Sequence, residues 1–421
     1  MTIRKLTVLW IIILIITPCL SGTTEDIKVL TLEQCILIAT SQNPMVLSSQ
    51  QQYQAALARI NQAKAFEQPS LDFDSDLQPK FLDFKGSGES YIGISQALEF
   101  PGKRLLRGKI ATRESEEIMQ DIEQLKLDLV FQVKQAFYNL LLSQEKLKYA
   151  QQDLELAQDF LKKAEVKFDS GDIAQVEVLR ANVEASKAAN QLRISQNEVT
   201  LAKAYLNFLM ARKKYTPLEI KGELKKQEVP LELEYLKSRA LSFRPEIKRI
   251  SLSLERENLQ KKQAYMSYLP DFELGASRHW IEGEGTWWDF TISLPIPLFF
   301  WQPAKGEIAE ATANIRSLKN DWEHLTNSIN LEVEEAYTNA VAAQNQIDLF
   351  EEEIIAQARE VYNMMLFSFQ EGEIGGIELI EARRTLIESN KSYADALFNY
   401  AVALAALEKS IGQSFQGDNN E

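Results

Sequence analysis

Along most of this chain, apolar residues return at alternating spacings of three and four. Leu147, Ala150, Leu154, Ala157, Leu161, Ala164 and Phe168 form one such run. Ala185, Ala188, Leu192, Ser195, Val199, Ala202, Leu206 and Leu209 form a second, and Ile347, Phe350, Ile354, Gln357, Val361 and Met364 a third. A seam of this period packs helices side by side as knobs into holes, and its alanines allow close approach. The pattern predicts helices over 31–66, 103–168 and 173–213, and again over 232–266, 304–369 and 374–411. At 1.5 Å per residue the longest of these reach about 100 Å, far more than a compact domain needs. The helices alone are equally compatible with a coiled-coil scaffold.

Four short stretches change period from seven to two. In 69–79, Leu71, Phe73 and Leu77 alternate with Asp72, Asp74 and Asp76. In 90–100, Ile92, Ile94, Leu98 and Phe100 alternate with Gly93, Ser95, Ala97 and Glu99. In 270–280, Phe272, Leu274 and Ala276 stand against Asp271, Glu273 and Ser277, and 288–299 places Trp288, Phe290, Ile292, Leu294, Ile296 and Leu298 on one face. Aromatic residues gather near the ends: Tyr91, Trp280, Trp287, Trp288, Phe299 and Trp301. Alternation over about ten residues with aromatic ends is the pattern of a transmembrane β-barrel strand. A soluble sheet packed on helices is the alternative, but the opposite faces are strongly acidic and the helices are too long to cover them.

The chain is written twice. Setting Pro44 on Pro245 gives an offset of 201, which also places Leu32-Glu33 on Leu233-Glu234, Ala39 on Ala240, Ser41 on Ser242 and Pro69 on Pro270. Gly108, Ile110 and Ala111 fall on Gly306, Ile308 and Ala309 at offset 198, and Val133 and Ala136 on Val333 and Ala336 at offset 200. The phrase "FDSGDIAQVEVLRA" from Phe168 returns as "FQEGEIGGIELIEA" from Phe369, again at 201. Such self-similarity reads as a tandem duplication. The expected organisation is a first repeat over 23–212, with a helix, a strand hairpin at 69–100 and a helical hairpin at 103–212. A linker at 213–231, with two prolines and one glycine, precedes a second repeat over 232–411, whose strand hairpin is 270–299 and helical hairpin 304–411. Residues 412–421 form a polar tail.

Composition narrows the function. The net charge of −14 argues against nucleic acid as a partner, and two His with two Cys leave little for a zinc site, a disulfide framework or a Cys/His nucleophile. Residues 1–22 have a basic start (Arg4, Lys5), an apolar run from Leu6 to Ile16 and a small, polar end. That reads as a secretory signal, the alternative being an N-terminal anchor helix. Pro18 makes the surroundings of Cys19 a poor lipid-attachment box, and Cys35 reads as plain core.

Four strands cannot close a barrel, which needs about eight or more, and an open edge in lipid leaves backbone groups unpaired. The chain must therefore oligomerise. Two copies give a bore too narrow for transport; three give twelve strands and a tube of twelve long helices.

The repeated turn and the strand-to-helix segment "QALEFPGKR" (96–104) carry a close resemblance to the TolC-type outer-membrane factor family, over nearly the whole chain. The resemblance implies a mixed α/β membrane protein: a homotrimeric channel-tunnel with a twelve-stranded barrel above an antiparallel α-helical coiled-coil barrel. It implies no enzyme and no cofactor, and a place in the outer membrane of a Gram-negative bacterium, surrounded by lipid and reaching across the periplasm. There it meets a periplasmic adaptor (membrane fusion) protein and an inner-membrane pump of the RND or ABC type. The phrase "EFPGKRLLRGK" looks like the branch serving heavy-metal resistance–nodulation–division pumps; the local reading is that Pro101-Gly102 ends the strand and Lys103, Arg104 and Arg107 begin a helix near the membrane. No metal site is expected in the chain. The alternatives to a small-solute exit duct are the outer-membrane component of a type I protein secretion system and a periplasmic scaffold without a channel.

At the turns, Gly171 and Gly372 supply the left-handed conformation that stops a helix, and Asp172 and Glu373 lie near the start of the next, where negative charge suits the helix dipole. With Ile173 and Ile374 they are the expected adaptor contact. Glu378 and Glu381, three apart, share a helical face. By the resemblance they form stacked acidic rings at the narrow end of the tube, a periplasmic gate; a plain solvated face is the other reading. In the first copy Glu177 matches Glu378, but Arg180 stands where Glu381 does, and is expected to latch onto an acid of a neighbouring helix.

Overall fold

The computed structural model describes residues 29–76, 88–213, 216–227, 232–296, 298–299 and 301–415. The expected signal at 1–22 with Cys19, the strand position Leu77, part of the linker and the end of the polar tail lie outside the described residues. The first half runs β1 (Val29–Leu30), α1 (Leu32–Gln42), α2 (Pro44–Ala63), β2 (Ser70–Asp76), β3 (Glu89–Leu98), α3 (Lys103–Asp169) and α4 (Gln175–Leu209). The linker contributes β4 (Glu219–Ile220). The second half runs α5 (Leu233–Phe243), α6 (Pro245–Met266), β5 (Phe272–Ile281), β6 (Gly285–Ser293), α7 (Trp301–Leu349), a π-helical turn (Phe350–Ile354), α8 (Ile355–Glu371) and α9 (Gly376–Ile411).

Where the period predicts one helix over 31–66 and one over 232–266, the chain makes two. Pro44 and Pro245 cannot donate into a preceding turn, and they hold the residue before them extended: Asn43 and Arg244 have ψ of 126° and 127°. The first helix opens on a capping box between Thr31 and Gln34. Near the middle of the molecule, β1 pairs in parallel with β4, and Cys35, Ala39, Val133, Leu140, Leu206 and Met210 close the core around them. Burial pushes the Cys35 thiol up to about 11, so it stays protonated and inert.

The second helical hairpin departs from its predicted seam. Ile347 and Phe350 are buried as the period requires, but Val361 and Met364 are 43% and 59% exposed. Below the π turn the buried positions are Ala358, Tyr362 and Phe369, each one residue further along than the heptad places them. A π turn holds one extra residue. The extra residue rotates α8 about its axis, so the next residue in sequence faces the partner helix.

The four longer strands form one antiparallel sheet in the order β2-β3-β5-β6. Leu294, Ile296 and Leu298 fall beyond β6, where Pro295 removes a ladder donor. The register sorts the two faces. Leu71, Phe73, Ile92, Ile94, Leu274, Ala276, Trp288, Phe290 and Ile292 share one, and Phe290 and Ile292 are 81% and 76% exposed. Asp72, Asp74, Asp76, Glu89, Glu273 and Asp289 share the other. On that acidic face His279 lies between Glu89 at 3.1 Å and Asp289 at 2.8 Å, tying β3, β5 and β6 together. Strands β2 and β6 form the sheet's edges, each with a row of backbone groups turned outward.

Candidate functional site

Each helical hairpin ends in the same turn. Gly171 (φ 81°) and Gly372 (φ 83°) hold the left-handed conformation. In the first turn the Asp172 N–H donates to the Lys167 carbonyl (2.9 Å), and in the second the Glu373 N–H donates to the Ser368 carbonyl (2.9 Å), the paired closure of a Schellman motif. Ser170 Oγ reaches Asp172 Oδ2 at 2.9 Å, and Ser368 Oγ reaches Glu373 Oε2 at 3.3 Å. Asp172 and Glu373 are exposed, and Ile173 and Ile374 turn inward onto a shared apolar cluster.

That cluster joins the two tips. Phe160 of α3 meets Phe369 of α8 edge to face, with centroids 5.3 Å apart. The start of α9 presses against the first hairpin at Gly376: a Cβ there would lie 2.8 Å from Glu177 Oε2 and 2.9 Å from Phe160 Cζ. Only a residue without a side chain lets the hairpins approach this far. Glu177 Oε2 is buried in that contact and accepts no hydrogen bond, while Glu177 Oε1 takes Arg180 at 2.7 Å.

Among the described residues Arg180 pairs with Glu177 of its own helix, not with an acid of a neighbouring one. Two arginines of α9 make that connection instead. Arg383, 4% exposed, donates to Asp153 Oδ1 of α3 (2.6 Å) and to Glu184 Oε2 of α4 (3.0 Å). Arg384 bridges Glu184 Oε1 (2.9 Å) and Glu381 (3.1 Å), and Lys187 also reaches Glu184 at 3.0 Å. Burial alone would raise the Glu184 carboxyl, but Lys187 and Arg384 outweigh it and hold it below the ordinary carboxylate range. Glu381 is thus partly neutralised. Glu378 is exposed at the start of α9, and among the described residues it makes no ion pair.

Between α4 and α9 the tip carries an open groove of about 400 Å³. Val176, Leu179, Val183 and Ile377, each about half exposed or more, form its floor with Ile380, and Arg180, Glu381 and Arg384 stand at its rim. Arg383, Glu184, Asp153 and this apolar floor were not singled out from the sequence. The dipeptide Arg383-Arg384 after the second turn is the one signal, and it does not name partners about 200 residues away.

Among the described residues, no group of three or more His, Cys, Asp and Glu side chains is placed to hold a metal ion, and no helix is long and apolar enough to cross a membrane. A family model described as outer membrane efflux protein matches residues 36–212 and again residues 236–413. The cobalt-zinc-cadmium resistance protein CzcC of Cupriavidus metallidurans is 23% identical over 402 residues, covering 91% of this chain and 90% of that one. The fold is similar to that of CusC (TM-score 0.77, 17% identity, 91% of this chain and 92% of that). It is also similar to the CmeC outer membrane channel of Campylobacter jejuni (TM-score 0.76, 15% identity, 90% and 85%). With the family model matched twice, across most of its length, the chain belongs to the outer membrane efflux protein family.

Proposed function

We propose that three copies of this chain assemble into a passive exit duct of the outer membrane, the last element of a tripartite efflux system. One observation carries the reading: the sheet has an apolar face, an acidic face and two edges with outward-facing backbone groups. In lipid those edges must be paired, and three copies closing edge to edge give a twelve-stranded barrel with the carboxylates inside. The twelve long helices continue the bore across the periplasm. Glu378 and Glu381 line its narrow end, and Arg383 and Arg384 hold the second hairpin against the first in the resting state. The tip turns, with Gly171, Asp172, Ile173, Gly372, Glu373 and Ile374, receive a periplasmic adaptor, and the apolar groove beside them admits its apolar side chains. An inner-membrane pump drives transport. The relative's link to cobalt, zinc and cadmium, together with the acidic inner face, favours divalent metal cations as cargo.

The test is the purified full-length protein in lipid. A trimer that survives unheated gel electrophoresis and conducts in planar bilayers is expected. A monomer that inserts nowhere and carries no current would instead support a periplasmic scaffold. A deletion strain challenged with cobalt, zinc and cadmium salts, dyes and detergents separates the cargo classes.

A further inference from the structure

Where α2 ends and α3 begins, at the base of the sheet, five cations crowd together in a chain whose net charge is −14. Two are used internally. Lys103 donates to the Leu269 carbonyl (2.7 Å) and Asp271 (2.9 Å), while Arg107 caps the end of α2 through the Ala63 carbonyl (2.8 Å) and pairs with Glu99. The other three, Lys64, Arg104 and Lys109, make no ion pair among the described residues. Glu67, the acid nearest Lys64 in sequence, is exposed and bonded to none of them.

Arg104 and Lys64 are held in place, and Lys109 is exposed on α3 next to Gly108. The Arg104 guanidinium lies 3.6 Å from the centroid of the Phe66 ring, and stacking on an aromatic face orients it. The Lys64 stem runs across α3 at Gly108, where a Cβ would come within 2.8 Å of its Cγ. Beside the cations, between the sheet and the helices, Phe66 and Leu105 are each 64% exposed. Exposed apolar side chains with unpaired cations just beyond them match the boundary between acyl chains and phosphates. The second half keeps the glycine, Gly306, but has Gln302 and Glu307 at the matching places, and Glu307 is engaged by Ser267 at 3.0 Å. At these two positions the second half lacks the cations.

We propose that Lys64, Arg104 and Lys109 bind the phosphate of an anionic phospholipid in the leaflet at the base of the sheet. The inference rests on the reading that the sheet lies in a membrane. The exposed Phe66 and Leu105 beside the cations select a lipid headgroup over free phosphate.

The experiment is native mass spectrometry of the full-length protein released from detergent, titrated with phosphatidylglycerol and, separately, phosphatidylcholine. Phosphatidylglycerol should be retained preferentially, and Lys64→Gln with Arg104→Gln should lower its affinity about fivefold per cation removed. Phosphatidylcholine retention should not change. Bilayer conductance of the same variant reports folding and insertion: a conducting variant that keeps full phosphatidylglycerol binding overturns the proposal. So does an equal loss in Lys148→Gln with Lys162→Gln, far from the sheet, or displacement of the lipid by millimolar inorganic phosphate. A wild-type protein that fails to conduct would overturn the duct reading itself.

Discussion

Asn43 and Arg244 do the same job in the two halves of the chain. Each precedes a proline that opens a helix, and each donates from its side chain to a carbonyl 166 residues downstream, Leu209 for Asn43 (3.0 Å) and Ser410 for Arg244 (3.3 Å). The junctions between α1 and α2 and between α5 and α6 are thereby pinned to the C-terminal ends of the hairpins. Their chemistry differs: Asn43 also caps its own helix through Met45 N–H (2.9 Å), whereas Arg244, 3% exposed, is paired with Glu246 and Glu332 (2.5 Å).

Asn43→Ala is expected to cost about 1–2 kcal/mol, the worth of a lost cap with a buried carbonyl left unpaired. Arg244→Ala removes a buried stem and several charged hydrogen bonds, and should cost about 2 kcal/mol or more. Denaturant midpoints of the solubilised protein compare the two, and equal losses would count against the ion-pair share.

At the tips, three glycine-to-alanine changes separate strain from contact. Gly171→Ala and Gly372→Ala place a side chain in the left-handed region at a cost of about 1 kcal/mol each, with no neighbour closer than 3.9 Å. Gly376→Ala has no such strain but drives a methyl into Glu177 and Phe160. It should wedge the hairpins apart and raise channel open probability in bilayers, while Gly171→Ala leaves it unchanged.

Two buried carboxyls should respond to pH with opposite signs. Glu184 titrates below its ordinary 4.5, so the folded chain holds fewer protons there than the unfolded chain. Its stabilisation is full above about pH 4.5 and is lost as pH falls through the lower folded value. Glu117, between α3 and α6, is raised above 4.5 by burial, against the pull of Arg256. Its charge costs stability at neutral pH, a cost that fades as pH falls through the folded value and is gone below 4.5. Thermal unfolding at pH 7.5 should therefore show Glu184→Gln destabilised by about 3 kcal/mol, since Arg383 loses a partner, and Glu117→Gln unchanged or stabilised. The gap should narrow at pH 4.

If the acidic residues of α9 set ion preference, Glu378→Ala should reduce cation selectivity more than Glu381→Ala, because Arg384 already offsets Glu381 at 3.1 Å. Reversal potentials under a salt gradient measure this. Unchanged selectivity in the double variant would remove both from the narrow end.

The elements legible in the sequence were those written by local pattern. The seam of α3 and α4 is buried at Ala150, Ala157, Ala164, Ala188 and Ala202, as the period predicts, and the strand faces alternate as the side chains do. The link from Arg383 to Glu184 and Asp153 joins residues 199 and 230 apart, and no local pattern names such a partner. The π turn left half a trace. The repeat offset steps from 200 at Ala136 and Ala336 to 201 at Gly171 and Gly372, one residue gained in the interval that holds it. The earlier step from 198 to 200, between Ala111 and Val133, has no irregular turn in α7 to mark it.

That single gained residue has a geometric consequence. One position turns a helix by about 100°, and the π turn absorbs it, so Ala358 and Tyr362 take the same seam positions in the second hairpin as Ala157 and Leu161 in the first, at the offset of 201. The tips still differ in side chain, with Arg180 in the first where the second has Glu381, so in the proposed ring of three chains the six tips alternate between two kinds and the mouth has threefold rather than sixfold symmetry. A partner encircling it with six copies must then make two distinct contacts, whereas a partner with three copies can meet every chain alike.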